Sequence, residues 1–104
     1  MSDAPLLVPT VVDAPDAQRY EAHVADVDAI GTLHYLLHDG AIVFTHTEVP
    51  PALEGHGVAS ALARFALDDA RRRGLRVRPF CPFVAAFIRR HHEYADLVDG
   101  AAGR

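Results

Sequence analysis

The 104-residue sequence predicts an α/β (α+β) domain with the element order β-β-β-α-β-α. Three observations indicate this class: an apolar/polar alternation that starts at Arg19, an Asp39-Gly40 pair between two β-branched segments, and a helical apolar stripe that starts at Val58. A period of two is typical of half-buried strands, and a period of 3.6 is typical of amphipathic helices. We therefore expect one mixed, mostly antiparallel sheet with helices packed on it.

Composition limits the classes of partner. Hydrophobic residues make up 50% of the chain and charged residues 23%, as in ordinary globular domains. The formal net charge is -4 and all ten basic residues are arginines, so nothing like the basic stripe of a nucleic-acid-binding protein is present. Apolar runs fall short of the ~20 residues of a membrane span. A lone Cys81 and the lack of a secretory signal favour a cytoplasmic protein.

The N-terminal half predicts a meander of strands. Residues 1–18 are rich in Pro, Asp and Ala, which predicts a flexible arm with at most a short strand near residues 6–12. Three strands follow, over residues 19–24, 29–37 and 41–49. Asp39-Gly40 is a strong signal for a tight hairpin, and Pro50-Pro51 ends the third strand.

The C-terminal half predicts a strand between two helices. The first helix covers residues 58–73, with its apolar stripe at Val58, Ala61, Leu62, Phe65 and Ala66. Gly74 ends it, and residues 75–80 form a fourth strand, parallel to the third because a helix connects the two. Pro82 begins a second helix over residues 82–91. A short turn or helix at 93–98 completes a domain of residues 19–98, and residues 99–104 form a tail.

Two glycines, Gly55 and Gly57, stand directly before the first helix. A helix start exposes unpaired backbone N–H groups and carries a partial positive charge, so a glycine-lined start suits phosphate or pyrophosphate. The pattern matches neither a P-loop nor a dinucleotide fingerprint. The alternative is a tight turn without a ligand.

The segment Glu54-Gly-His-Gly-Val-Ala59 resembles the pyrophosphate loop of the GNAT superfamily of acetyl-CoA-dependent N-acetyltransferases, Arg/Gln-x-x-Gly-x-Gly/Ala. The later segment Phe80-Cys-Pro-Phe-Val84 resembles that of short single-domain members, and the likeness spans residues 20–98. The resemblance implies a parallel strand pair at the site of acetyl-CoA or CoA. It also implies seven residues that hold this co-substrate: Val49, His56, Gly57, Val58, Ala59, Ser60 and Arg90. For Arg90 the alternative is a solvated helix end.

Glu54 departs from this pattern, because the superfamily has Arg or Gln at the first position of the loop. A carboxylate there repels a pyrophosphate by roughly 1 kcal/mol at ~4 Å in water. We therefore expect Glu54 to point outward and the anion to bind through backbone N–H groups alone.

The resemblance directs the search for catalytic groups to the ends of the third and fourth strands. His46 and Glu48 are the candidate bases, and we expect both on the strand face of Phe44. Cys81, before the second helix, is a candidate nucleophile. The alternatives are a hydrogen-bonded strand histidine, a solvated carboxylate and a buried small side chain. Tyr94 is a more remote candidate for the general acid.

The predicted function is transfer of an acetyl group to an amine of a small molecule or a protein. One alternative is a CoA-binding or acyl-CoA-binding module without efficient catalysis, and another is an interaction domain whose glycine corner is only a turn. The seven histidines contain no helical pair with metal-ligand spacing, so no metal site is expected. We expect no nucleic-acid or membrane partner, and a monomer or weak homodimer.

Overall fold

The structure, a computed structural model, describes residues 8–100. Within that range one mixed sheet has the strand order β1 (Thr10–Ala14), β2 (Arg19–Val24), β3 (Val27–His38), β4 (Ala41–Glu48) and β5 (Arg76–Pro79). The α-helices are α1 (Val58–Arg72) and α2 (Pro82–Arg90), and short 3-10 segments cover Pro15–Ala17, Pro51–Leu53 and His92–Leu97. Neighbouring strands are antiparallel except β4 and β5, which are parallel. The predicted α+β class is confirmed.

The sheet begins at Thr10, whereas the sequence predicts a domain that starts at residue 19. Strand β1 pairs with β2 from Thr10↔His23 to Ala14↔Arg19, so the sheet has five strands in the described part of the chain. As an edge strand, β1 lacks a clean alternation; Val12, for example, is 42% exposed. Residues 1–7 of the predicted arm and 101–104 of the predicted tail lie outside the described residues.

The predicted hairpin between β3 and β4 is present. His38 pairs with Ala41, and the two residues between them, Asp39 and Gly40, have φ values of 51° and 76°. Two successive left-handed residues define the type I′ turn, whose twist matches that of the flanking strands. This turn sets the register of the β4 residues discussed below.

Helix α1 lies on one face of the sheet at very short range. A Cβ atom added to Gly31 of β3 would come within 2.7 Å of Val58 Cγ1, so only glycine allows this approach. Leu33 and Tyr35 share the Gly31 face because side chains alternate along a strand. Helix α2 packs beside α1, with the Arg64 guanidinium 5.4 Å from the centre of the Phe87 ring. No helix among residues 8–100 has the length and apolarity of a membrane span.

The buried face of α1 differs in part from the predicted stripe. Val58, Leu62 and Ala66 are buried as expected, whereas Phe65 is 40% exposed and forms a T-shaped contact with Tyr20. Asp69, which is not part of the predicted stripe, is 7% exposed and accepts hydrogen bonds from Tyr20 of the sheet and from Arg73 at the end of the helix. Side-chain pairing, which the stripe does not encode, rotates the buried face toward Asp69.

Candidate functional site

The parallel pair β4–β5 opens into a fork. Its Cα register runs from Ala41↔Arg76 to Phe44↔Pro79, after which β5 ends and β4 continues to Glu48. Cys81 N–H donates to Phe44 O at 2.8 Å and closes the base of the fork. Beyond Phe44, the edge of β4 that faced β5 therefore has no neighbouring strand within residues 8–100.

Helix α1 begins beside this fork without a capping side chain. Gly57 is its N-cap with a φ of 72°, and Gly55 has a φ of 84°, values that favour glycine. The first helical hydrogen bond is donated by Ala61 to Gly57 O, at 3.0 Å. The N–H groups of the three residues in between have no acceptor in a regular helix, and no side chain caps them. This helix start can therefore bind an anion.

A cleft of about 220 Å³ lies at this helix start; we call it the corner cleft. Five of the seven residues predicted to hold the co-substrate line it, namely Val49, Gly57, Val58, Ala59 and Ser60. Glu54 also lines it and is exposed. The structure does not bring the other two predicted residues into this lining. His56 Nδ1 is buried without a hydrogen-bond partner among residues 8–100, and Arg90 is exposed at the end of α2.

The three candidate catalytic residues fall into two groups. His46 Nε2 lies 3.5 Å from Glu48 Oε2, and both side chains are well exposed. Cys81 is 2% exposed, and its Sγ lies 3.1 Å from Thr47 Oγ1. Because side chains alternate along a strand, Thr47 and Cys81 lie on the face opposite His46 and Glu48.

The expectation that His46 and Glu48 share the face of Phe44 is wrong, and a β-bulge is the reason. The register changes from His34↔His46 to Tyr35↔Phe44, so Thr45 is an extra residue in β4. One extra residue reverses the alternation. Phe44 consequently lies in the core, while His46 points away from it.

A second and larger cleft, of about 510 Å³, lies on the sheet face that carries Glu48; we call it the sheet-face cleft. Arg19, Thr32 and His34 line it together with Glu48 and Val49. Val49 thus borders both clefts. Sequence reasoning missed Arg19, Thr32 and His34, because only the register of three strands brings them together.

Tyr94, the remote candidate for a general acid, is bound to α1. Its hydroxyl donates to Asp68 Oδ1 at 2.6 Å and lies 3.4 Å from Arg64 Nη1. Burial raises the pKa of Tyr94, and the hydrogen bond to Asp68 raises it further. These contacts give Tyr94 a role in fixing the His92–Leu97 segment to α1. Within residues 8–100 no group of three or more potential metal ligands occurs.

Comparison with known proteins identifies the class. The family model of GCN5-related N-acetyltransferases, the GNAT superfamily, matches residues 19–97, and the chain belongs to this family. The resemblance inferred from the glycine corner and the Cys81-Pro82 segment is thereby confirmed. Protein NATD1 of Bos taurus is 41% identical over 44 residues, which are 42% of this chain and 39% of that protein. The chain therefore aligns with well under half the length of this relative.

Proposed function

We propose that the protein transfers an acetyl group from acetyl-CoA to a primary amine. One observation carries the proposal: the uncapped start of α1 lies at the same end of the sheet as the β4–β5 fork, with Val49 beside both the corner cleft and Glu48. Family membership supports acyl transfer in general. A single free cysteine, Cys81, supports a reducing compartment such as the cytoplasm.

The corner cleft fits the pyrophosphate of CoA. The uncapped N–H groups of Val58, Ala59 and Ser60 provide hydrogen-bond donors, and the helix dipole adds a partial positive charge. A Cβ atom built on Gly55 or Gly57 meets no atom within 4 Å, so space is open in front of the backbone. These properties match a ligand that is bound by the main chain.

The exposed pair of His46 and Glu48 is placed to accept a proton from the amine, directly or through water. Acetyl transfer forms one C–N bond and breaks one C–S bond. The amine proton goes to the base, and the departing sulfur takes up a proton to become a thiol. We favour direct transfer, because Cys81 is buried, on the face opposite His46. A Cys81→Ala protein should therefore keep its turnover, measured as thiol release.

Titration of CoA into two matched variants tests the site. Gly57→Glu places a carboxylate in the corner cleft, at a left-handed position, and should weaken CoA binding by about 100-fold or more. Gly74→Glu introduces the same charge and a similar strain, since its φ is 70°, at the opposite end of α1. It should bind CoA as the wild type does. Equal affinities for the two variants would place the CoA site elsewhere.

The rival function is a CoA-binding module with little catalysis, and the exposure of the candidate bases is the observation that favours it. His46 and Glu48 are both well exposed, so an acceptor amine beside them would remain in contact with water rather than in an enclosed site. Thiol release from acetyl-CoA, measured with a panel of amines, separates the two functions. CoA binding without amine-dependent thiol release would support the module and contradict the enzyme.

A further inference from the structure

The floor of the sheet-face cleft is built from two rows of residues that cross β2, β3 and β4. The Cα register aligns Glu21, Thr32 and Glu48 in one row, and Arg19, His34 and His46 in the next. A carboxylate on β4 and a guanidinium on β2 therefore stand at opposite ends of the same cleft. Each end also carries a partner of the opposite type, Glu21 beside Arg19 and His46 beside Glu48.

The Glu48 end adjoins the proposed acetyl-transfer site. Val49 follows Glu48 directly and lines the corner cleft as well. The Glu48 carboxylate has His46 as its close neighbour, at 3.5 Å, which compensates its charge only when the imidazole is protonated. This end can therefore attract an ammonium group and then accept its proton.

The Arg19 end retains hydrogen-bonding capacity for an anion. Arg19 Nε and Nη2 each lie 2.9 Å from Glu21 Oε2, and no partner for Nη1 occurs among residues 8–100. The hydrogen bond from Arg19 lowers the pKa of Glu21, and one from His23 lowers it further. Glu21 thus remains charged and orients Arg19, whose planar group can still bind a carboxylate.

Thr32 lies between the two ends and is 5% exposed. Its Oγ1 is buried and finds no hydrogen-bond partner among residues 8–100. Buried hydroxyl groups are nearly always paired, so an unpaired one in the lining of a cleft indicates a missing partner.

We propose that the sheet-face cleft binds the acceptor and that the acceptor is an amino acid, with its amine at Glu48 and its carboxylate at Arg19. The proposal rests on the proposed function. Strands β2 and β4 are two strand spacings apart, about 10 Å, so several bonds separate the two groups of the acceptor, as in an ω-amino acid. The reaction converts the ammonium into a neutral amide and releases one proton. The product then has no positive charge for Glu48 to attract.

Matched acceptors test this charge pattern. The ω-amino acids from β-alanine to 6-aminohexanoate are compared with the alkylamine and the diamine of equal length, by thiol release from acetyl-CoA. For at least one length, kcat/KM should be about tenfold or more higher for the amino acid than for the alkylamine, because Arg19 binds the carboxylate. The diamine, which places a second cation at Arg19, should be the poorest acceptor.

Two variants make the test specific for Arg19. Arg19→Gln should reduce kcat/KM for the amino acid to that for the alkylamine. Arg78→Gln is the control, because Arg78 is also ion-paired, at 2.7 Å from Asp99, with an exposed side-chain fraction of 36% against 33% for Arg19. It should keep the preference for the amino acid. No preference in the wild type, or a preference for diamines, overturns the proposal.

A binding measurement separates failure of this proposal from failure of the proposed function. The same amino acids are titrated into the protein saturated with CoA. Binding that Arg19→Gln abolishes, without thiol release from acetyl-CoA, would overturn the enzyme and keep the amino-acid site. Thiol release that does not distinguish the three classes of amine would keep the enzyme and overturn the site. Neither binding nor release would overturn both.

Discussion

The two ends of helix α1 differ in whether their backbone polar groups have hydrogen-bond partners. At the N-terminal end, Gly57 offers no capping side chain, and the first residues of the helix line the corner cleft. At the C-terminal end, Gly74 closes the helix in a Schellman motif: Leu75 N–H donates to Ala70 O at 2.9 Å, and Gly74 N–H donates to Arg71 O at 3.2 Å. One helix thus has an open end and a closed end.

The closed end is also tied to the sheet through buried side chains. Asp69 accepts hydrogen bonds from Tyr20 at 2.7 Å, from Arg73 at 3.2 Å, and from Arg72. Burial alone would raise the pKa of Asp69, but these three donors outweigh it and hold the pKa below its usual range. Arg73 also reaches Asp13 of β1, at 3.7 Å. The edge strand, β2 and α1 are therefore held together by one charged network.

The open end of α1, rather than its closed end, is where a ligand is expected. Polar groups that are paired within the chain stabilise the scaffold, whereas polar groups left without partners at an open cleft are available to a ligand. The corner cleft, with its uncapped helix start, and the sheet-face cleft, with the Thr32 hydroxyl, belong to the second class. Changes at the closed end should therefore affect stability, and changes at the open end should affect binding.

Alkaline pH should have the largest effect on the free energy of unfolding, because it ionises tyrosines that are hydrogen-bonded within the chain. All three tyrosines are buried, and each donates to an aspartate: Tyr20 to Asp69, Tyr35 to Asp13 and Tyr94 to Asp68. Burial raises the pKa of each tyrosine, and the bond to the aspartate raises it further. Their stabilising contribution is complete below the unfolded pKa of about 10 and is lost as pH rises above it.

The free energy of unfolding should then fall by up to about 4 kcal/mol per pH unit above pH 10, at about 1.4 kcal/mol for each tyrosine. The chain has no lysine to titrate in the same range. Urea unfolding across this range measures the slope, and Tyr35→Phe should reduce it by about a third. Tyrosinate absorbance that rises near pH 10 while the protein stays folded would contradict the closed network.

Asp69→Asn should lower the free energy of unfolding by about 2–3 kcal/mol, because Tyr20, Arg72 and Arg73 lose a buried charged acceptor. Asp96→Asn is the matched control, since Asp96 pairs with Arg71 at 2.9 Å on the exposed side of the same helix. It should leave stability nearly unchanged. Urea denaturation measures both variants. CoA affinity should be the same in both variants as in the wild type. A loss of affinity in Asp69→Asn would contradict the inference that the closed end of α1 affects only stability.

Gly31→Ala should affect stability and binding together. The new Cβ would lie 2.7 Å from Val58 Cγ1, and Val58 is both buried and the first residue of α1. Displacing it should cost roughly 1–2 kcal/mol of stability and weaken CoA binding, because the helix start moves. In the control Gly40→Ala, strain arises at a φ of 76° with no contact within 4 Å, so stability falls but CoA affinity does not. CoA titration measures the affinity. If Gly31→Ala binds CoA as tightly as the wild type does, the close approach of α1 to β3 does not position the CoA site.

Local sequence signals predicted much of the fold and the open end of α1. Some residues act through their own backbone preferences and can be recognised without the rest of the chain. These are Asp39-Gly40, Gly74 and the prolines before and after α1. The corner glycines are of the same kind. By contrast, β1 has no periodicity of its own and becomes a strand by pairing with β2.

Features that depend on register were beyond such signals. The local sequence around Thr45 does not indicate a β-bulge, although the bulge there moves His46 away from the face of Phe44. Arg19, Thr32 and Glu48 become neighbours only because three strands align. Asp69 similarly looks like a solvent-facing helix residue until Tyr20 is placed opposite it. Non-local pairing, rather than propensity, decides these positions.

Glu54→Arg should give the smallest effect, a change in CoA affinity at the open end of α1. Glu54 is exposed and lines the corner cleft, where its charge opposes a pyrophosphate at the helix start. Reversing the charge should tighten CoA binding about five- to tenfold at low salt, and the gain should shrink as salt screens it. Asp16→Arg, the same charge change on the exposed Pro15–Ala17 turn, should alter affinity little. Tighter binding of CoA by Glu54→Arg alone would show that the backbone holds the anion against this carboxylate, and weaker binding would place the pyrophosphate away from the start of α1.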